Sequence, residues 1–190
     1  MTKMTEIRWH GRGGQGAVTA AKILAQAALN EGRHIQAFPE YGAERRGAPV
    51  RSFTRISAQP IYIHSPIHHP GTVVVLDSTL LDAVDVTEGL PEDGILVVNT
   101  QEDPSMVRRK LKLKGRKIFT VDATQISIDC IGKPIPNTPM IGAVMRAADI
   151  LPLQNLVDGF RSKFSEKFRA EIVKGNIKAI KRAYEEVKTE

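Results

Sequence analysis

The sequence predicts an α/β fold built on a doubly wound, mostly parallel sheet. Three observations carry this. The runs "TVVVL" (Thr72–Leu76), "ILVV" (Ile95–Val98) and "KIFTV" (Lys117–Val121) are continuously apolar, the pattern of strands covered on both faces. Stretches with helical spacing alternate with them. A glycine-rich turn, "GRGGQG", sits between a strand-like run and an alanine-rich helix.

Taken in order, Thr5–Trp9 reads as a first strand and Gly11–Gly16 as the turn. Val18, Ala21, Leu24, Ala25, Ala28 and Leu29 give Ala17–Glu31 one apolar helical stripe, ended by Gly32. His34–Phe38 is a second strand, and Pro39 opens the charged loop "PEYGAERRGAP". Val50–Ile56 and Ile61–His64, joined by "SAQP", read as an inserted β-hairpin. The three apolar strands follow, with helical pieces at Thr79–Val84 and Pro104–Leu111. Asp77, Asn99 and Asp122 fall at the C-terminal ends of those strands, the edge where ligands and partners meet such a sheet. Beyond Asn137 the chain turns helical, over Met140–Ala148, Gln154–Phe164 and Phe168–Lys188. In the last of these, Lys174, Lys178, Lys181 and Arg182 lie opposite an apolar face. The whole reads as one domain, 1–190, with 151–190 as a helical C-terminal segment.

Composition excludes several classes. An apolar fraction of 42% and a charged fraction of 25% are those of a soluble globular domain. One cysteine, Cys130, excludes a disulfide framework and a cluster ligated by this chain alone. No apolar run approaches the about 20 residues that cross a bilayer, and no signal segment is visible, so a cytoplasmic location without membrane contact is expected. The net charge of +6 is spread along the chain, and aromatic residues make up only 5%. Nucleic acid is therefore not an expected partner.

Gly11-x-Gly13-x-x-Gly16 matches the G-x-G-x-x-G pattern in its required place, after a strand and before a helix, so the sheet is Rossmann-like. Glycines let the backbone turn tightly, and the first helical amides favour an anion, with Arg12 adding charge. Gly11, Arg12, Gly13, Gly14, Gln15 and Gly16 are the candidate anion-binding or interface turn. A dinucleotide site also needs an acid after the second strand. Glu40, the only candidate, comes late, behind Pro39. His64, His68 and His69 cluster without an acidic or cysteine partner, so no metal site is expected. No nucleophile–base pair can be read, so no catalytic residue is assigned to this chain.

The stretches "IRWHGRGGQGAVTAA", "QAFPEYGAERRGAPVRSFTRI", "DGILVVNT" and "IPNTPMIGA", followed by a basic helix with "AYEEVK", resemble the gamma subunit of pyruvate:ferredoxin oxidoreductase (pyruvate synthase), in the 2-oxoacid:ferredoxin oxidoreductase family. The resemblance runs from about Ile7 to Lys188. It implies a reaction in which a 2-oxoacid, coenzyme A and oxidised ferredoxin give acyl-CoA, carbon dioxide and reduced ferredoxin. It also implies that thiamine diphosphate, magnesium and [4Fe-4S] clusters sit on partner chains, the alpha, beta and delta subunits of a heterotetramer, because this sequence has neither the cluster cysteines nor the G-D-G…N thiamine motif. The turn then serves either the phosphates of coenzyme A or a partner subunit. Glu40, Glu44, Arg45 and Arg46 suit an intersubunit ion-pair network, with Tyr41, Asn137 and Thr138 on the same interface. The reading from a different class is a free-standing NAD(P)-dependent oxidoreductase.

Overall fold

A computed structural model describes residues 4–40 and 47–190. Seven strands form one sheet: β1 (Thr5–Arg12), β2 (His34–Pro39), β3 (Pro49–Ser57), β4 (Thr72–Val75), β5 (Ile95–Asn99), β6 (Lys117–Val121) and β7 (Lys188–Thr189). Their spatial order is β2-β3-β1-β4-β5-β6-β7. β1, β4, β5 and β6 are mutually parallel neighbours, while β3 and β7 run antiparallel to theirs. The helices are α1 (Ala17–Asn30), α2 (Leu80–Ala83), α3 (Pro104–Leu111), α4 (Ala123–Ile131), α5 (Asn137–Ala148), α6 (Leu153–Phe164) and α7 (Ala170–Glu186).

Strand alternation divides the core in two. Ile7, Trp9, Val74, Val97 and Val121 point to the side covered by α1, α5, α6 and α7. Val73, Val75, Leu96, Val98 and Ile118 point to the opposite side, where Leu80, Leu81 and Val107 from α2 and α3 meet them. Both faces of β4–β6 are thus buried, which is why those strands carry no polar alternation. Trp9 is fully buried, and its indole N–H donates to Thr54 Oγ1 at 3.1 Å, which in turn donates to the Ala21 carbonyl at 3.2 Å. That relay ties β1, β3 and α1 together. On the same side, α5 and α7 come close at Gly142, where a β-carbon would lie 2.1 Å from the Ile180 carbonyl oxygen.

Several expectations need correction. The inserted hairpin is β2–β3, not a pair formed by Val50–Ile56 and Ile61–His64. Ile61–His64 is not a strand: its Ile63 carbonyl, with those of Ser65 and Pro66 just beyond, accepts from buried Arg55, which also donates to Glu6 and Gln36. Three prolines, at 60, 66 and 70, further limit ladder pairing there. β1 continues through Gly11 and Arg12, which pair with Val50 and Pro49, so the turn proper is Gly13–Gly16. The last helix starts at Ala170 and ends at Glu186, releasing Lys188–Thr189 to pair with β6. Helix α4, unforeseen in sequence, begins where Asp122 caps it by accepting the Gln125 N–H at 2.9 Å. Among the described residues, no helix is long and apolar enough to cross a membrane.

Candidate functional site

The C-terminal ends of β1, β4, β5 and β6 bring together residues far apart in sequence. Gly14 (φ 98°) and Gly16 (φ 81°) hold left-handed backbone, which favours glycine. A β-carbon on Gly16 would lie 2.4 Å from Asn137 Nδ2, so the start of α5 is seated directly on the turn. Asn137 Oδ1 accepts the N–H of buried Thr138 at 2.7 Å. Nothing within 4 Å would meet a β-carbon on Gly14, which faces outward.

The turn is closed largely by its own groups. Gly13 N–H donates to the Ala48 carbonyl at 3.0 Å, and Gln15 N–H to the Arg12 carbonyl at 3.1 Å. Gln15 Oε1 accepts the Arg12 N–H at 2.7 Å, and Gln15 Nε2 donates to Asp77 Oδ2 at 2.7 Å. The Arg12 guanidinium donates to Thr79 Oγ1 at 2.7 and 3.1 Å and to the Gly47 carbonyl at 3.1 Å, and lies 3.4 Å from Asp77. Burial opposes ionisation of Asp77. Hydrogen bonds from Thr79 and Gln15 and the Arg12 charge outweigh it and hold the carboxyl below its ordinary value. Asp77 is therefore a fixed anion that neutralises Arg12, and three of the N–H groups available to a phosphate are already engaged.

Beside the turn lies a polar cleft of about 390 Å³ lined by Gln15, Asp77, Asn99, Asp122 and Thr124 among others. Asn99 is locked: its Nδ2 donates to the Leu76 carbonyl and Thr124 Oγ1, both at 2.8 Å, and its Oδ1 accepts the Thr124 N–H at 3.2 Å. The strand-end residues picked out in sequence thus do converge. Two carboxylates on this cleft repel a phosphate.

Glu40 does not join this group. β3 intervenes between β2 and β1, placing the end of β2 about 10 Å from β1. Glu40 is bound bidentately by Arg51, with one arm at 2.9 Å. Tyr41, Glu44, Arg45 and Arg46 lie outside the described residues. The far end of their loop does reach the turn, through Gly47 N–H to the Gly13 carbonyl at 3.4 Å. His64, His68 and His69 form no group that could hold a metal among the described residues. Cys130, half-buried, is a single thiol and does not suit a cluster.

Sequence reasoning missed a line of ionisable groups on the face of β1 and β3 opposite Trp9. Arg8 and His10 are buried, and Arg8 donates to His10 Nε2 at 3.0 Å and to the carbonyls of Val86 and Glu88 at 3.1 and 2.5 Å. The alternation Arg8-Trp9-His10 and Arg51-Ser52-Phe53-Thr54-Arg55 carried the signal. It reads as a solvated strand face when the segments over it are not foreseen.

With Glu40 bound by Arg51 and distant, and Asp77 engaged by Gln15 and Arg12, the acid that a dinucleotide site needs after the second strand is missing from the turn. Calorimetric titration with NAD and NADP is therefore expected to show no tight binding. A dissociation constant in the micromolar range would overturn this.

A seven-stranded sheet covered by helices, with an internally bonded glycine turn bordered by carboxylates, defines a Rossmann-like α/β module. The chain belongs to the pyruvate ferredoxin/flavodoxin oxidoreductase family, whose model matches residues 6–186. It is 50% identical over 186 residues to pyruvate synthase subunit PorC of Thermotoga maritima, covering 98% of this chain and 96% of the relative. It is likewise 50% identical over 182 residues to the pyruvate/ketoisovalerate oxidoreductases common subunit gamma of Pyrococcus furiosus, covering 96% of each. The crystal structure of the Thermotoga maritima subunit superposes with a TM-score of 0.86 at 48% identity, over 98% of both chains.

Proposed function

We propose that this chain is the gamma subunit of a cytoplasmic pyruvate:ferredoxin oxidoreductase, and that its glycine turn is a docking surface for partner subunits rather than a phosphate site. The complex converts a 2-oxoacid, coenzyme A and oxidised ferredoxin to acyl-CoA, carbon dioxide and reduced ferredoxin. Thiamine diphosphate, magnesium and the [4Fe-4S] clusters belong to the alpha, beta and delta chains. The identity to pyruvate synthase subunits over nearly the full length supports the assignment. The observation that carries the docking role is the Arg12–Gln15–Asp77 closure of the turn. With the Gly13–Ala48 bond it engages the Arg12, Gly13 and Gln15 N–H groups, and it fixes a carboxylate beside the turn where a phosphate would be repelled. Coenzyme A remains a co-substrate of the complex, and Asn137, seated against Gly16, extends the same surface.

Gly14→Ala and Arg45→Glu test this in the assembled enzyme. A β-carbon on Gly14 meets nothing within 4 Å, so the change alters an outward surface at the cost of backbone strain alone. Both variants are expected to release the gamma chain on size-exclusion chromatography: Gly14→Ala sets a methyl group on the docked surface, and Arg45→Glu leaves an interfacial charge half-paired, at about 2–5 kcal/mol. Intact assembly with a raised Michaelis constant for coenzyme A would transfer the turn to phosphate binding instead.

A further inference from the structure

We propose that the groove between α6 and α7 receives an acidic amphipathic helix of a partner subunit, an inference that rests on the subunit role above. The groove, of about 640 Å³, has an apolar floor that includes Val173 and Ile177. Its rim carries Lys174, Lys178 and Lys181 from α7, and Arg161 from α6, which lies 3.4 Å from Asp158. The three lysines are spaced i, i+4 and i+7, so they line one flank of the helix. None of them has an ion-pair partner among the described residues, whereas Arg182 next to them is held by Asp129 at 2.6 Å and Glu186 at 2.5 Å.

That contrast sets the chemistry of the occupant. Arg182 is a structural post, already neutralised, and it joins α7 to α4. The three lysines repel one another along the helix flank, and carboxylates laid beside them remove that repulsion. An apolar floor beside a cationic rim takes a helix with an apolar stripe edged by Asp and Glu, the helix-in-groove mode. The lining runs from Ala170 to Glu185, a length of about 24 Å, or roughly four turns of helix. One lining carboxylate, Glu185, stands at the far end and sets polarity: the partner's acidic residues belong opposite Lys174 to Lys181, not beside Glu185.

The test uses the native complex and the separately expressed full chain. A carbodiimide, which joins amines to carboxylates with no spacer, is expected to link Lys174, Lys178 or Lys181 to Asp or Glu of a partner chain. The same lysines are expected to be acetylated more slowly in the complex than in the isolated chain. The double variant Lys174→Glu/Lys178→Glu is expected to weaken retention of the gamma chain about 30-fold, with an unchanged circular dichroism spectrum. Lysines equally reactive in both states overturn the inference while leaving the subunit role standing. So do links only to a second copy of this chain, or protection abolished by nuclease. A chain that purifies from its own cells with no partner overturns both.

Discussion

Gly142→Ala is expected to lower the thermal midpoint of the isolated chain by about 6–12 °C, from a loss of about 3 kcal/mol. The β-carbon would lie 2.1 Å from the Ile180 carbonyl oxygen and 2.9 Å from its carbon. Both are backbone atoms of α7, so no side-chain rotation relieves the clash. Helix α7 must move away from α5, opening a layer that includes buried Met140, Ile141, Ala143, Val144, Ala179 and Ala183. Gly14→Ala is the control, because it meets no neighbour and pays only for its left-handed backbone, about 1 kcal/mol. Differential scanning of both variants measures the difference. Equal midpoints would show that α7 is not fixed against α5 in the way described.

That close approach is a feature no reading of periodicity reveals. Gly142 appears in sequence as an ordinary helical interruption, and its partner is a carbonyl on another helix. The elements that were legible are those whose signal is local. Thr72–Val75, Ile95–Asn99 and Lys117–Val121 are runs of apolar residues because both sheet faces are covered, and their bounds fell within a residue of the strands observed. The turn was legible because glycine at 14 and 16 answers a local backbone need. Strand partnership was not. β2 and β3 pair across a loop, and nothing in "HIQAFP" or "PVRSFTRIS" states that β3 inserts between β2 and β1. That insertion decides the candidate site, since it carries Glu40 away from the turn. The β-branched, aromatic run "IYIH" has strand propensity, yet Arg55 captures the carbonyls around it, a tertiary effect that overrides local preference.

Acidification from pH 7.5 to pH 5 is expected to cost the folded chain about 2 kcal/mol through His10 alone. His10 is 3% exposed, and its Nε2 accepts the Arg8 Nε–H at 3.0 Å, so the folded imidazole is neutral with its proton on Nδ1. Protonation breaks that bond and buries a positive charge beside that of Arg8. Burial, then the charges of Arg8 and Arg51, lower its pKa from 6.5 to about 3, with Asp85 opposing weakly. The unfolded chain thus binds a proton between pH 6.5 and 3 that the folded chain refuses. Stability is full above pH 6.5 and falls as pH drops toward 3. Over this range Asp77 contributes little, because its carboxyl stays ionised until more acidic pH. Urea midpoints at the two pH values, for the native chain and for His10→Gln, isolate the effect. The glutamine carbonyl still accepts from Arg8 but does not titrate, so the variant is expected to lose about 2 kcal/mol less than the native chain on acidification. Identical pH slopes in the two would show that His10 titrates freely and that the Arg8–His10 bond does not hold in solution. Because β1 runs on from His10 into Arg12 and the turn, the same experiment reads how firmly the proposed docking surface is anchored to the sheet.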